Sequence, residues 1–305
     1  MPTFVTGPVT VSVPATSANL GPGFDALGLA LDFRDTVTAQ VMDRVDGPPE
    51  ITVSGSGADA VPRDERHLVH RAMARAFAHM ETPLPAVRLH CENVIPHGRG
   101  LGSSSAAIVA GVCLARGLVA GGSLLMDDEA VLALASEIEG HPDNVAPALY
   151  GGFTIAYAAG GTFHATSVAV DPRVQAVAFV PPDPVETTVA RGLLPATVSH
   201  HDAAANAGRA ALLVAAISRQ PELLHVATED RLHQDYREPA MPGTLALVRA
   251  LRADGLPAVV SGAGPTVLVL TAASQVESVA ARVPQGWQVR RLLVDRSGAR
   301  VVLPA

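Results

Sequence analysis

Pro96-His97-Gly98-Arg99-Gly100-Leu101-Gly102-Ser103-Ser104-Ser105-Ala106 is the stretch on which the reading of this 305-residue chain turns. Three glycines in five residues let the backbone come close to a ligand. Three serines follow, and a long Ala/Val/Ile/Leu helical pattern then runs from Ala106 to Ala120. A loop that opens straight into a helix aims the free N–H groups of the first turn, and the positive end of the helix dipole, at one point where an anion is stabilised. All 22 basic residues are arginine, and lysine is absent. That excludes the phosphate loop whose lysine reaches the β- and γ-phosphates, together with Schiff-base and pyridoxal chemistry. Nucleotide phosphates would be held here by backbone dipoles, hydroxyls, a metal and arginines. A dinucleotide fingerprint fits poorly. It wants glycine at Ser105 and an acid about twenty residues further on, where Gly121, Gly122 and Ser123 stand.

The chain is long enough for one large domain or two of ordinary size. With 48% hydrophobic and 17% charged residues it reads as a compact globular protein. A net charge of −7 gives no general attraction to nucleic acid. The apolar run from Ala106 to Ala115 is broken by Arg116 and is too short to span a bilayer. The opening MPTFVTGPVTVSVPATSANL has no basic start and no continuous apolar segment, so no secretory signal is expected and the cytoplasm is the expected location. Cys91 and Cys113, in apolar contexts, read as structural thiols in a reducing compartment. The eleven histidines show no metal-ligand spacing, and His200-His201 lies in a polar, loop-like stretch.

Patterning predicts strands at Val9–Val13 (stopping at Pro14), Leu27–Leu31, Thr36–Met42, Ile51–Ser54 and Ala86–Cys91, the last delivering the chain to the glycine-rich loop. Helices are predicted at His67–Met80, with Asp64 as a cap, at Ser104–Ala120, and at Asp127–Glu139, capped by Asp127 or Asp128. Strands at Gly151–Tyr157 and Val174–Val180 follow, then a helix at Ala203–Arg219 and another at Leu245–Asp254. Strands at Ala258–Ser261 and Thr266–Thr271, a helix at Val276–Arg282 and a strand at Trp287–Leu293 complete the reading. Strands and helices mix without repeats, so an α+β fold is expected, with a division near Gly160-Gly161.

Three further segments carry chemistry. Val13 to Gly28, V-P-A-T-S-A-N-L-G-P-G-F-D-A-L-G, is too rich in glycine and proline to be regular structure throughout. Asn19 offers a donor and an acceptor there and Asp25 a carboxylate, a pair suited to a polar zwitterion, although alone they would suit an Asx-turn and a cap. Glu137 to Gly152, E-I-E-G-H-P-D-N-V-A-P-A-L-Y-G-G, puts acids at a helix end ahead of a turn carrying Asp143 and Asn144. Such a turn can present oxygens to a metal and to a reacting hydroxyl. Magnesium asks for one or two protein oxygens besides phosphates and water, a role that Ser104 and Glu139 suit. Ser261 to Thr266, S-G-A-G-P-T, allows a tight backbone approach between two strands.

The loop from Pro96 to Ala106 resembles the P-x-x-x-G-L-G-S-S-A signature of the GHMP kinases, with one extra serine, and Ser261–Thr266 resembles their third motif. Val13–Gly28 and the D-N-V-A-P block from Asp143 are more similar to the branch of that family acting on L-homoserine. The resemblance implies an N-terminal domain like the second domain of ribosomal protein S5, over residues 1–160, and a ferredoxin-like C-terminal domain, over residues 161–305. It implies transfer of the γ-phosphoryl group of ATP to the hydroxyl of L-homoserine, on the route to threonine, with Mg2+ on Ser104 and Glu139. Pro96, His97, Gly98, Arg99, Gly100, Leu101, Gly102, Ser103, Ser104 and Ser105 would hold the nucleotide. Asn19, Asp25, Asn144 and Gly264 would hold the substrate, with Arg191 and Arg237 on its carboxylate, where a planar guanidinium binds in two-pronged fashion.

Some relatives use an aspartate–lysine pair as general base. Here Asn144 stands at the equivalent place, so loss of the hydroxyl proton directly to the γ-phosphate is expected, with Asp143 as the alternative base. The short link from Glu139 to Asp143 leaves Glu137 as the alternative metal ligand. His67 stands where some relatives carry a nucleotide-contacting asparagine, which leaves the adenine contacts open. A homodimer is plausible from the family. Two other readings remain: a kinase for another alcohol such as mevalonate or shikimate, and a nucleotide-binding protein without turnover.

Overall fold

Pro14 is where the sequence suggests that the first strand stops, yet the strand runs on. β1 covers Val9–Asn19 and β2 covers Gly23–Val41, paired antiparallel along their length. The register shifts between Pro14 and Ala15, a bulge that accommodates a residue without an N–H. The charged stretch Asp32–Asp35 lies opposite this shift, which is why one long strand reads in sequence as two. The computed structural model describes residues 3–43 and 47–304, so residues 1, 2, 44–46 and 305 of the two expected domains lie outside it.

The chain continues through β3 (Glu50–Gly55), α1 (Leu68–His79), β4 (Val87–Asn93), α2 (Ser103–Leu118), α3 (Gly122–Leu125), α4 (Asp128–Glu139), α5 (Val145–Tyr150), β5 (Phe153–Ala159) and β6 (Thr162–Val168). Then come β7 (Val174–Val180), α6 (Thr187–Gly192), α7 (His200–Arg219), α8 (Leu224–Ala227), α9 (Pro242–Ala253), β8 (Ala258–Val260), β9 (Val267–Ala272), α10 (Val276–Ala280), β10 (Gln288–Leu292) and β11 (Arg300–Val302). Two sheets result. One has seven strands in the order β11-β1-β2-β4-β3, with β5 on β2 and β6 on β5; the other has the order β10-β7-β9-β8. In the second sheet the last strand lies beside the first and all pairs are antiparallel, the ferredoxin-like arrangement. The fold is α+β, as expected.

α2 is apolar on nearly every side and is accordingly buried, from Ser105 and Ala106 to Leu118, against α1, α4 and β1. Its N-terminus thus starts from a rigid core and faces the groove between the two halves. Gly160 and Gly161, which read as a linker, form the turn between β5 and β6. The division expected there falls inside a hairpin of the first sheet, and the passage to the second sheet comes after Val168.

Asp64 does not cap α1. It accepts from the backbone and guanidinium of Arg66, and His67 occupies the cap position without a side-chain bond. Asp127 does cap α4, accepting from the Ala130 N–H at 2.8 Å. His200-His201 begins α7, capped by Ser199, instead of lying in a loop. β6, β11, α5 and α6 escaped the patterning because they are short or amphipathic only in their packed context.

Candidate active site

Successive carbonyls of the glycine-rich loop are turned away from the groove and bonded to the body of the protein. Gly98 O accepts from Val185 N, Arg99 O from Thr266 N and Leu101 O from Thr16 N. Gly100 O accepts the Ser261 hydroxyl at 2.6 Å. α2 has no side-chain cap and no acidic residue in its first turn, so its leading N–H groups and dipole stay available to an anion. Gly102 has φ +71°, and a Cβ there would lie 1.9 Å from Thr16 Oγ1. At Gly100 a Cβ would lie 2.2 Å from the Ser261 carbonyl oxygen. The spacing of these glycines is therefore dictated by close packing of the loop on β1 and the β8–β9 turn.

Arg99 borders the cavity with its neighbours, but its guanidinium is engaged with the body of the protein. Its guanidinium donates to the carbonyls of Pro181 and Pro182, and of His97 at 3.0 Å, so it fastens the loop to the end of β7. Leu101 is buried in the core, and Ser105 is buried with its hydroxyl on Glu139.

Glu139, at the end of α4, takes the Ser104 hydroxyl at 2.6 Å and the Ser105 hydroxyl at 2.8 Å on the same oxygen. Glu137 points elsewhere and pairs on the surface with Arg75. Among the described residues no group of three or more His, Cys, Asp or Glu could hold a metal alone. One carboxylate and one hydroxyl beside an anion cradle nonetheless match the sparse protein donor set of magnesium, whose remaining ligands are phosphates and water.

Asp143 is buried, with Oδ1 2.7 Å from His141 Nδ1. Burial works against charge on His141, but the bond to Asp143 and the charges of Asp143 and Glu139 outweigh it and raise its pKa. Asn144 accepts the Thr16 hydroxyl on Oδ1 at 2.8 Å. That leaves its amide N–H groups for the cavity, so Asn144 can donate but cannot take a proton.

The chain from the end of β1 into the start of β2 is held in an unusual conformation. Asn19, Leu20 and Asp25 all have positive φ, at 67°, 49° and 55°. The left-handed region is costly for Leu20 and milder for the asparagine and aspartate, and the clustering of the three marks a segment held by its surroundings. Asn19 supplies part of the hold: its Nδ2 donates to Gly262 O at 2.9 Å and its Oδ1 accepts from Asp25 N at 3.0 Å. Asp25 in turn binds Arg191 through two bonds, at 2.6 and 3.1 Å. Arg237 is 1% exposed and donates to Gly262 O at 2.8 Å, while its Nε has no partner in the protein. Burial first, and the Arg191 charge second, bring its pKa down to about 10, still cationic at neutral pH.

These groups border a cavity of about 250 Å³ whose wall includes Asn19, Gly98, Ser104, Glu139, Asn144, Arg191 and Arg237. Gly264 is not in that wall. Gly262 and Ala263 are, and Gly264 packs behind them against Met241. Asp25 also stands back, reaching the cavity only through Arg191. Sequence reasoning did not single out Thr16, His141 or Thr187, although the first two lie within the segments quoted above. Their signal was position between recognised residues, which gains meaning only when the side chains are seen to meet.

A second cavity, of about 270 Å³, shares Ser103 and Ser104 with the first and is lined by Val37, Pro62, Leu68, Val69 and Ala107. His67 and His97 lie in it, and burial lowers the pKa of both, so each is neutral at pH 7. The buried Nδ1 of His67 has no protein partner.

The family model for the GHMP kinases N terminal domain matches residues 67–152, and that for the GHMP kinases C terminal matches residues 204–289. The chain is 54% identical to a homoserine kinase of Streptomyces avermitilis, over 99% of this chain and 98% of that protein. It is 53% identical to a homoserine kinase of Streptomyces coelicolor, over 99% and 96%. The crystal structure of homoserine kinase from Cytophaga hutchinsonii superposes with a TM-score of 0.84 at 27% identity, covering 97% of each chain. Mevalonate diphosphate decarboxylase from Staphylococcus aureus shares the fold at a TM-score of 0.68 and 14% identity.

Proposed function

Because this chain belongs to the GHMP kinase family, in its homoserine kinase branch, we propose that it transfers the γ-phosphoryl group of ATP to the side-chain hydroxyl of L-homoserine, giving O-phospho-L-homoserine and ADP on the route to threonine. The observation that carries this reading is one cavity bounded by two unlike anion sites, the open N-terminus of α2 and the Arg191–Arg237 pair. The first suits a polyphosphate and the second a carboxylate.

Phosphoryl transfer asks a protein for alignment and charge neutralisation. The triphosphate lies along residues 98–105, whose carbonyls are bonded away so that N–H groups meet its oxygens. The base enters the neighbouring cavity past Ser103 and Ser104, among its aliphatic side chains and two neutral histidines. Ser104 and Glu139 would hold Mg2+, which neutralises charge on the phosphates. L-Homoserine lies with its carboxylate on Arg237 and Arg191 and its ammonium toward Asp25, so the Asp25–Arg191 pair is exchanged for contacts with the zwitterion. Asn144 donates to the reacting oxygens. A bond forms from the hydroxyl oxygen to Pγ as the Pγ–O bond to ADP breaks, and the hydroxyl proton passes to the transferred phosphoryl group. Asp143, held by His141, orients the turn carrying Asn144.

Cys91 and Cys113 are free and buried, and burial raises their thiol pKa values to about 12 and about 11, which makes both unreactive. No helix among the described residues is long and apolar enough to cross a membrane. A homodimer is carried over from the family as an expectation.

The test is ADP release from Mg-ATP with L-homoserine, L-serine, mevalonate and shikimate as separate acceptors. Turnover with homoserine alone supports the reading. Turnover with another acceptor keeps the phosphate site and refutes the substrate, and tight ATP binding without turnover refutes catalysis.

A further inference from the structure

Three side chains converge on Phe24, a ring to which the reaction described above assigns no part. The Arg191 guanidinium carbon lies 5.6 Å from its centroid and that of Arg237 5.9 Å. The His233 imidazole stacks on it at 5.2 Å with 28° between planes. Phe24 does not belong to the cavity wall, whereas both arginines do.

Two guanidiniums of like charge must share one carboxylate, and each repels the other while the site is empty. Arg191 has Asp25 as counter-ion. Arg237, almost wholly buried, has no carboxylate within ion-pair distance among the described residues, and its hydrogen-bonded protein contact is the Gly262 carbonyl. Asp230, Asp25 and Asp143 act on Arg237 only from beyond ion-pair distance, whereas the Phe24 face lies against both guanidiniums, and such faces attract guanidinium groups within about 6 Å.

The ring itself is fixed from the other half of the protein. His233 Nε2 lies 2.7 Å from Gly21 O, and Asn206 Nδ2 donates to Pro22 O at 2.7 Å. Donation to a carbonyl requires the proton on Nε2 of His233. Burial lowers the pKa of this imidazole, so it backs the ring without adding a third positive charge. Two consecutive carbonyls just ahead of Phe24 are thus tied to α7 and to the segment before Arg237.

We propose that Phe24 is a positioning residue, a shared π platform that sets Arg191 and Arg237 in the paired orientation that grips the acceptor carboxylate, with His233 as its backing. The proposal rests on the homoserine reading above and deepens it: selectivity for a carboxylate-bearing alcohol depends on a ring that touches neither substrate.

Phe24→Leu and Phe24→Met remove the π face, the second at similar volume in case leucine does not fold, and Phe24→Tyr keeps it. Steady-state kinetics are measured with L-homoserine and with 3-aminopropan-1-ol, the same alcohol without its carboxylate. The expected result is a rise of about tenfold or more in KM for L-homoserine in the Leu and Met variants, with kcat and the KM for ATP within about threefold. Their kcat/KM for 3-aminopropan-1-ol should stay within about twofold of the parent, and tyrosine should restore the homoserine KM. Equal losses with both acceptors would reduce Phe24 to packing and overturn the proposal, as would an unchanged homoserine KM. Failure of the parent enzyme to use L-homoserine refutes the substrate reading itself, and is seen before any variant is made.

Discussion

Ser104 Oγ and Glu139 Oε1 meet at 2.6 Å, joining the first turn of α2 to the end of α4 at the edge of the anion cradle. A serine hydroxyl at the start of the helix, and a carboxylate whose other oxygen stays free of these serines, make a local centre of negative potential beside the helix dipole. Glu139→Gln and Ser104→Ala should each lower kcat by about a hundredfold, the order expected when transition-state charge loses a fixed partner. Glu137→Ala should leave turnover within about twofold, because its exposed pairing with Arg75 lies outside the cavity. Near-normal turnover of Glu139→Gln at saturating magnesium would move the metal role elsewhere.

Asn144 is an amide, its carbonyl accepting from Thr16, so the carboxylate in this turn able to act as a base is Asp143. If the proton goes to the phosphoryl group, kcat/KM for L-homoserine should show no limb near neutral pH that requires the Asp143 carboxylate as base, and Asp143→Asn should lower activity by a similar factor on either side of neutrality. A limb near neutral pH that disappears in Asp143→Asn, with the fold intact, would assign general-base catalysis to Asp143.

The pKa of His141 is raised in the fold, its burial being outweighed by the Asp143 bond and neighbouring charge. A raised value means that protonation favours the folded state. That stability is fully present below the unfolded pKa and is lost as pH rises through the folded one. His141→Gln should therefore lose more stability near pH 5.5 than near pH 9, roughly tracking this titration. Melting temperatures of both proteins at the two pH values test it, and an equal loss at both would contradict it.

Asp35 behaves in the same direction for a different reason. Burial raises its carboxyl from 3.8 to about 6, against the opposing bonds from the Ile95 and Val94 N–H groups. Its protonated form stabilises the fold below 3.8, and that stability is lost as pH climbs through about 6. Asp35→Asn keeps an acceptor oxygen and cannot ionise. It should be more stable than the parent at pH 7.5 by up to about 3 kcal/mol, with the gap closing near pH 4. Denaturant titrations at both pH values measure this, and a variant less stable than the parent at pH 7.5 would refute it.

The glycine-rich loop and the helix behind it could be read from sequence because they are local: glycine spacing, hydroxyls and a following helix lie within a few turns of chain. The α+β class and the helices α2 and α4 were legible for the same reason. The Asp25–Arg191 pair was not, since it joins residues 166 positions apart and depends on both halves being placed. Gly264 falls just beyond the wall that Gly262 and Ala263 form, because a motif gives spacing but not which of its residues lines a cavity. Gly160-Gly161 misled as a boundary, as glycines serve a hairpin turn as readily as a linker. Arg99 offered charge in the right loop, and only the carbonyls of Pro181 and Pro182 reveal what that charge is used for.

β11 comes after the second sheet in the chain yet adds to the first, beside β1, and Arg34 on β2 bonds Asp295 and the carbonyl of Gly298 just before it. The two halves are consequently strapped together twice, once after Val168 and again between Leu292 and Arg300. During synthesis the first sheet cannot be completed until the second has been translated. Afterwards, a double strap resists the wide hinge opening that a single linker would permit. Ligand entry should then depend on small rearrangements at the rim, such as the parting of Asp25 from Arg191, and not on separation of the halves.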